Sequence, residues 1–597
     1  MKDKMTLVHV THEAAGKIGG IGAVLEGFFT SQPYIDNVAR TVLVCPLFTT
    51  DGQCHDRLGP GGEVLYSSID GLINNTYARH FKSIQEEFNV EIVYGKKTFA
   101  HHRTGIKSSP EVILIDVTRM DAEPLNKFKK RLFEEFGIRS DLYEHFWDYE
   151  EYTRLAMPAI AALKAIGAAG HGGGAVIISH EYMGMPTVLA GILDRCCDFK
   201  TVFHAHEVAT IRKIVEEHPG HDTMFRNVLK KAHQQGLYVS DIFGDQMSFF
   251  KHALIDASKY CDNIIAVGDG IVEELRFLAP QFELANIDLV YNGIPAYRIT
   301  LEEKLTSKEK LINYAESLVG HRPDFIFTHV TRMTPSKGLW RDLRVLEHME
   351  KELAALGKTA VFFVLSTQVS QRKKSDILKM EAGYNWPVAH REGMPDLSEG
   401  EAAFYCGVQE FNTKNRNIKV IYINQFGFSR DTCGSRMPAN IEFMDIRKGT
   451  DVEFGQSIYE PFGIAQLESL SFGGICVVTN VCGCTGFVRD VTNGKDTKNV
   501  IIADYTDLSC HRYEDIDDLV HIDRNSRNNI ESHISEKVAL EICARLPKNE
   551  QEIEEMIRSG YDLAKHMNWN VVVQNYLLNS LEKAVYRKKF EQMCVRV

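Results

Sequence analysis

The sequence predicts an α/β protein built from two doubly wound layers of strands and helices. Three observations predict it. Short β-branched runs of about five apolar residues alternate with longer amphipathic stretches, the pattern of parallel strands covered on both faces. The rhythm pauses at a turn cluster, Asn292-Gly293-Ile294-Pro295, and then restarts. Of 597 residues, 44% are hydrophobic and 25% charged, so the chain is globular, and its length suits two large domains as well as four small ones.

In the first half, strands are expected at Thr6–Val10, Thr41–Cys45, Val90–Tyr94, Val112–Asp116, Ala175–Ser179, Thr201–Phe203, Asn263–Val267 and Ile287–Tyr291. Each is short and largely apolar, and helical patterns such as Thr153–Ala168 and Ile271–Leu278 separate them. Past the turn cluster, residues 300–318 are charged and helical, and new apolar runs follow at Phe325–Val330, Val361–Leu365, Ile418–Ile423, Ile475–Thr479 and Val500–Ala503. The stretch from Ser366 to Asp451 exceeds the usual loop of two to six residues, so it should carry its own helices and reads as a candidate insertion. The tail, Gln551–Phe590, reads as helix. The expected domains are a Rossmann-like unit over 1–300, a second over 301–560 and a closing helix over 561–597.

Composition excludes several classes. Lys and Arg number 68 against 80 Asp and Glu, a balance of −12, which argues against a sequence-independent grip on nucleic acid. Residues 1–10 hold too short an apolar stretch for a signal peptide, and no run of about 18 apolar residues is present. The thirteen cysteines mostly stand singly in apolar runs, as in a reducing, cytoplasmic setting. The pairs Cys196/Cys197 and Cys482/Cys484 lack zinc spacing, so no metal is expected.

Six segments carry candidate chemistry. The first is Ser457-Ile-Tyr459-Glu460-Pro-Phe-Gly463-Ile-Ala-Gln-Leu-Glu468-Ser-Leu-Ser-Phe-Gly-Gly474. Its bland reading is a capping box, Ser457 to Glu460, which Pro461 weakens. A helix starting at Pro461 would leave the Glu460 carboxylate free and could turn Glu468 to the same side, suiting hydroxyl groups and a phosphate at a helix N-terminus. The second is His12-Glu13-Ala-Ala-Gly-Lys17-Ile-Gly19-Gly20-Ile-Gly22, after the first strand. Its glycines allow backbone approach to a phosphate and Lys17 supplies charge; the alternatives are a plain turn or a dinucleotide loop whose G-x-G-x-x-G pattern is unmet.

The third is Thr328-His-Val-Thr-Arg332-Met-Thr-Pro-Ser-Lys337-Gly338, where two cations across a turn could neutralise a leaving diphosphate or simply be solvated. The fourth is Phe203-His-Ala-His206-Glu-Val-Ala-Thr-Ile-Arg212, with His204 and His206 on one strand face, compatible with a metal, a substrate contact or core histidines. His180-Glu181-Tyr182-Met-Gly184 follows another strand, and Trp569 and Tyr576 are seven apart in the tail, as ordinary helix packing also allows.

These motifs, in this order, resemble the glycogen/starch synthase family of retaining glycosyltransferases. The likeness covers residues 6–30, 175–212, 262–295, 325–340 and 445–580, with Ile21 for the family's Leu, Tyr182 for its Trp and Val573 for its Ala. It implies the GT-B fold: two Rossmann-like domains facing across a cleft, with a C-terminal helix crossing back to the first. It implies that Glu460 contacts the transferred hexose and Glu468 the ribose. Arg332 and Lys337 would then meet the leaving phosphate, and His206 the donor sugar. Lys17, Gly19, Gly20, Arg212, Glu181, Tyr459 and Gly463 would complete substrate binding. No cofactor is implied. The implied partners are a nucleotide-sugar, ADP- or UDP-glucose, and a glucan or oligosaccharide acceptor, with no nucleic acid or membrane; a homo-oligomer is compatible. A small-molecule or sugar-phosphate acceptor, an epimerase or phosphorylase, and a non-catalytic glucan-binding scaffold are the rival expectations.

Overall fold

The computed structural model describes residues 4–16, 19–101, 103–169, 175–509 and 513–586. Two compact units divide the chain: Met1–Ile211 with Ala232–Gly293 and Trp569–Val597, and Arg212–Lys231 with Ile294–Asn568.

In the first unit, nine strands among the described residues form one sheet. Their order is Ile287–Leu289, Asn263–Ala266, Lys200–Ala205, Val176–His180, Met5–Val10, Val38–Pro46, Glu111–Asp116, Glu91–Lys97 and Gly62–Ser67. Eight point the same way, and Glu91–Lys97 runs against them, antiparallel to both of its neighbours. That corrects the expectation of a parallel strand at Val90–Tyr94. A parallel return needs a crossover helix, and between Lys97 and Glu111 the described chain offers only the small hairpin Phe99–Ala100/Lys107–Ser108. Helices Trp147–Ala165 and Glu181–Leu193 lie on this sheet, the second buried over 181–191 because it is apolar nearly all round.

The tail is not one helix from 551 to 590. Glu550–Ala564 ends in the second unit, where Ile294 N–H donates to the Met567 carbonyl (2.9 Å). Helix resumes at Trp569–Val572, passes one π turn at Val573–Leu577 and continues over Leu578–Tyr586 within the first unit; 587–590 lie outside the described residues. Trp569 is seated where only glycine fits: a Cβ on Gly27 would stand 2.2 Å from its indole, and one on Gly293 2.6 Å. Tyr576 meets Tyr291 edge-on, ring centres 5.6 Å apart.

In the second unit, six parallel strands among the described residues run in the order Ile418–Ile423, Ala360–Leu365, Phe325–Val330, Val452–Gly455, Ile475–Thr479 and Val500–Ala503. Val452–Gly455 went unanticipated because Glu453 interrupts its apolar run. The charge is tolerated there because Arg447 and the Thr328 hydroxyl bond it. The 366–450 stretch carries helices Lys374–Tyr384 and Glu399–Lys414, and its strand extends the sheet edge. Residues 212–231 belong to this unit through Asp222, whose carboxylate holds the fully buried Arg341 guanidinium (2.6 Å), itself shared with Glu531 (2.9 Å).

Candidate active site

The second sheet grows outward in both directions from its central pair, Phe325–Val330 and Val452–Gly455. Loops leaving the carboxyl ends of such a pair diverge, which makes this point the natural ligand crevice of an open parallel sheet. The loop after Phe325–Val330 carries Arg332 and Lys337; the loop after Val452–Gly455 carries Tyr459, Glu460 and Gly463. The chain turns at Gly338 (φ +60°), where a Cβ would stand 2.4 Å from the Gln456 carbonyl, so the loops touch backbone to backbone. The Ser336 carbonyl accepts N–H groups from Ile458 (2.8 Å) and Tyr459 (3.3 Å). The Lys337 ammonium thereby reaches the Glu460 carboxylate, with the two side chains 15% and 13% exposed. Arg332 is exposed, with no side-chain partner among the described residues. Tyr459 is buried at 3% exposure, so its ring is core.

The helix expected from Pro461 does not form. Two 3₁₀ turns, Ala465–Leu467 and Leu470–Phe472, take its place. Gly463 (φ +92°) breaks the run, and the Gln466 amide instead donates to the Gly455 carbonyl (3.0 Å) and the Ser457 hydroxyl (3.0 Å). A helix N-terminus for phosphate is therefore absent at Pro461. Glu460 makes an isolated bridge to Cys482, and the first N–H groups of the helix Gly483–Thr492 close on this turn, Gly483 on the Glu460 carbonyl (3.0 Å) and Cys484 on the Phe462 carbonyl (2.8 Å). Glu468 is paired with Arg447 (2.7 Å), which also holds Glu453 (2.7 Å). Burial opposes the Arg447 charge, yet the two carboxylates outweigh it and raise its pKa. Sequence reasoning missed this pair; the available signal was a charge inside the apolar run at 452–455.

In the first unit the glycine loop holds an anion of its own. Gly19 N–H (2.8 Å) and Gly22 N–H (2.9 Å) donate to one Glu13 carboxylate oxygen. Gly20 opens the helix Gly20–Phe29, and Lys17 lies outside the described residues. Glu181, at φ +63°, is buried and accepts the Glu207 N–H (2.6 Å); burial, then the Glu207 charge, pushes its carboxyl well above the usual range. Tyr182 is buried, its hydroxyl donates to Asp148 (2.7 Å) and the Lys251 ammonium lies 4.6 Å over its ring. Arg212 belongs to the second unit and donates to Glu216 (3.0 Å). His206 is hydrogen-bonded to His180 (2.9 Å), and its ring lies 4.0 Å from that of His204. These three histidines bring ring nitrogens within 4.8 Å of one another, the described residues' arrangement closest to a metal ligand set.

No sequence-family model and no curated protein sequence matches the chain. Solved structures do. The catalytic domain of starch synthase IV from Arabidopsis thaliana, bound to ADP and acarbose, is 12% identical; the match covers 98% of this chain and all of that one, with a TM-score of 0.54. The N-terminal domain of Candida albicans trehalose-6-phosphate phosphatase is 10% identical over 97% of each chain, with a TM-score of 0.50. The likeness is one of fold, and the fold these parallel-sheet units make is GT-B.

Proposed function

We propose that the protein is a retaining glycosyltransferase that moves glucose from ADP- or UDP-glucose to the non-reducing end of an α-1,4-glucan. One observation supports the reading: Lys337 reaches Glu460 between the two loops at the switch point of the second sheet, and Arg332 lies on the same loop as Lys337. A diphosphate leaving group gathers negative charge as the glycosidic bond breaks, and preorganised cations aimed at that charge lower the barrier. Arg332 is open for it, and Lys337 would turn to it from its resting partner Glu460. The Glu460 carboxylate can accept hydrogen bonds from hexose hydroxyls, and Glu468, oriented by Arg447, from the ribose. His206 is proposed to position the sugar. The starch synthase IV structure, carrying ADP and acarbose on the same fold, supports this choice of donor and acceptor class.

The test is a donor panel. ADP-glucose, UDP-glucose and their mannose and N-acetylglucosamine counterparts are each supplied with and without a malto-oligosaccharide, following diphosphate release and chain length. Extension with one glucose donor is expected. Release without extension moves the acceptor to a small molecule such as a sugar phosphate. Silence throughout, with no donor binding, contradicts the enzyme and favours a scaffold.

A further inference from the structure

We propose that His206 presents an Nδ1–H donor to an oxygen of a bound ligand, and that Tyr34, His9 and His180 are positioning residues that fix this tautomer. The four side chains form a single file. His206 Nε2 is 2.9 Å from His180 Nδ1, and His180 Nε2 is 2.9 Å from His9 Nδ1. His9 Nε2 is 3.1 Å from the Tyr34 hydroxyl, which is 2.9 Å from the Thr41 hydroxyl. His9 and His180 are fully buried and Tyr34 is 2% exposed, so water cannot repair a mismatched junction.

Each ring-to-ring junction needs one N–H and one lone pair. Burial keeps the rings neutral, lowering His9 and His206 to about 3 and His180 well below its usual value. Only two proton arrangements then satisfy every junction, and in each all three histidines share one tautomer. The hydroxyl end selects between them. A phenol is a stronger donor than an alcohol, and an imidazole nitrogen is a better acceptor than a phenol oxygen. Thr41 therefore donates to Tyr34, Tyr34 to His9 Nε2, His9 Nδ1–H to His180 Nε2, and His180 Nδ1–H to His206 Nε2. His206 is left with its proton on Nδ1, the ring nitrogen outside the file, on a residue that is partly exposed.

The file spans strands Met5–Val10, Val176–His180 and Lys200–Ala205, crossing between Met5–Val10 and Val176–His180, where the first sheet's connections diverge. His204 lies beside it, fully buried with neither nitrogen bonded, its ring parallel to Phe28 at 6.1 Å. A metal on His180, His204 and His206 would take one of the two His180 nitrogens, and the file already uses both. Resident metal and relay are mutually exclusive. That the ligand oxygen belongs to a sugar nucleotide rests on the function proposed above; the shared tautomer does not.

The experiment is ¹⁵N spectroscopy of the histidine-labelled full chain at pH 7, after elemental analysis for metal. His9, His180 and His206 should all be Nδ1–H, the minor form of free imidazole. Tyr34→Phe should lower the Nδ1–H fraction of His206 roughly twofold or more, although the two residues do not touch. A mixed set, a shared Nε2–H form, a stoichiometric metal or a Tyr34→Phe spectrum identical at His206 would overturn the proposal, and the wild-type spectrum decides even where the variant fails to fold. UDP-glucose and ADP-glucose, added in turn, should move the His206 Nδ1–H resonance with one of them. If neither does while the tautomers are as stated, the donor assignment falls and the relay stands.

Discussion

Glu460 should have opposite effects on binding a bare nucleoside diphosphate and on transfer. In the resting protein Lys337 is bonded to Glu460, so a diphosphate must draw the ammonium from that partner. Two unit charges about 4 Å apart attract by about 4 kcal/mol at an effective dielectric of 20, whereas exposed pairs are worth up to about 1. With both side chains about one-seventh exposed, the pair falls between these, at roughly 1–2 kcal/mol. Glu460→Gln releases Lys337 and should tighten ADP or UDP about 5–30-fold, while abolishing hexose transfer because the sugar loses its carboxylate. Lys337→Met should weaken the diphosphate about 10–100-fold, as for a lost charge-assisted hydrogen bond beside a bare carboxylate. The double variant should recover part of that loss. Isothermal calorimetry reads all four proteins. Weaker diphosphate binding in Glu460→Gln, or unchanged binding in Lys337→Met, would refute the reasoning.

Four further outcomes follow from the geometry. Arg332→Ala should lower turnover about 10²-fold with stability unchanged, since the residue is exposed; unchanged kinetics would remove it from the site. Glu468→Gln should raise the donor KM more than it lowers kcat, and should lower the melting temperature because Arg447 keeps only Glu453; a pure kcat defect would contradict a ribose contact. Gly27→Ala drives a methyl into Trp569 and should cost about 3 kcal/mol, read as a red-shifted tryptophan emission and an earlier unfolding midpoint. His9, lowered by burial to about 3, is neutral when folded at pH 7. As pH falls below 6.5 the unfolded chain takes up the proton first, so about 2 kcal/mol is lost by pH 5, and His9→Gln should flatten that part of the melting profile.

Much of the architecture was legible because parallel strands advertise themselves as apolar runs. Phe325–Val330 and Ile475–Thr479 match their expected bounds. The failures share a cause, in that tertiary partners overrode the local pattern. Glu453 hid a central strand because its neutralising Arg447 is six residues upstream. Gly62–Ser67 offers only the short run Val64-Leu-Tyr66 between Glu63 and Ser67, too brief to stand out as a strand by itself. Of the residues singled out by spacing, Lys337 and Glu460 meet because their loops leave neighbouring strands. Spacing did not foresee that Glu13, six residues upstream of Gly19, accepts the N–H groups of the glycine loop. The histidine file was invisible because His9, His180 and His206 meet only through sheet pairing.

The most direct measurement is a crystal structure with the nucleoside diphosphate that the donor panel selects. The account predicts phosphate oxygens within about 3.2 Å of Lys337 Nζ and the Arg332 guanidinium, with Lys337 drawn off Glu460. A diphosphate bound elsewhere, with the Lys337–Glu460 pair intact, would contradict it.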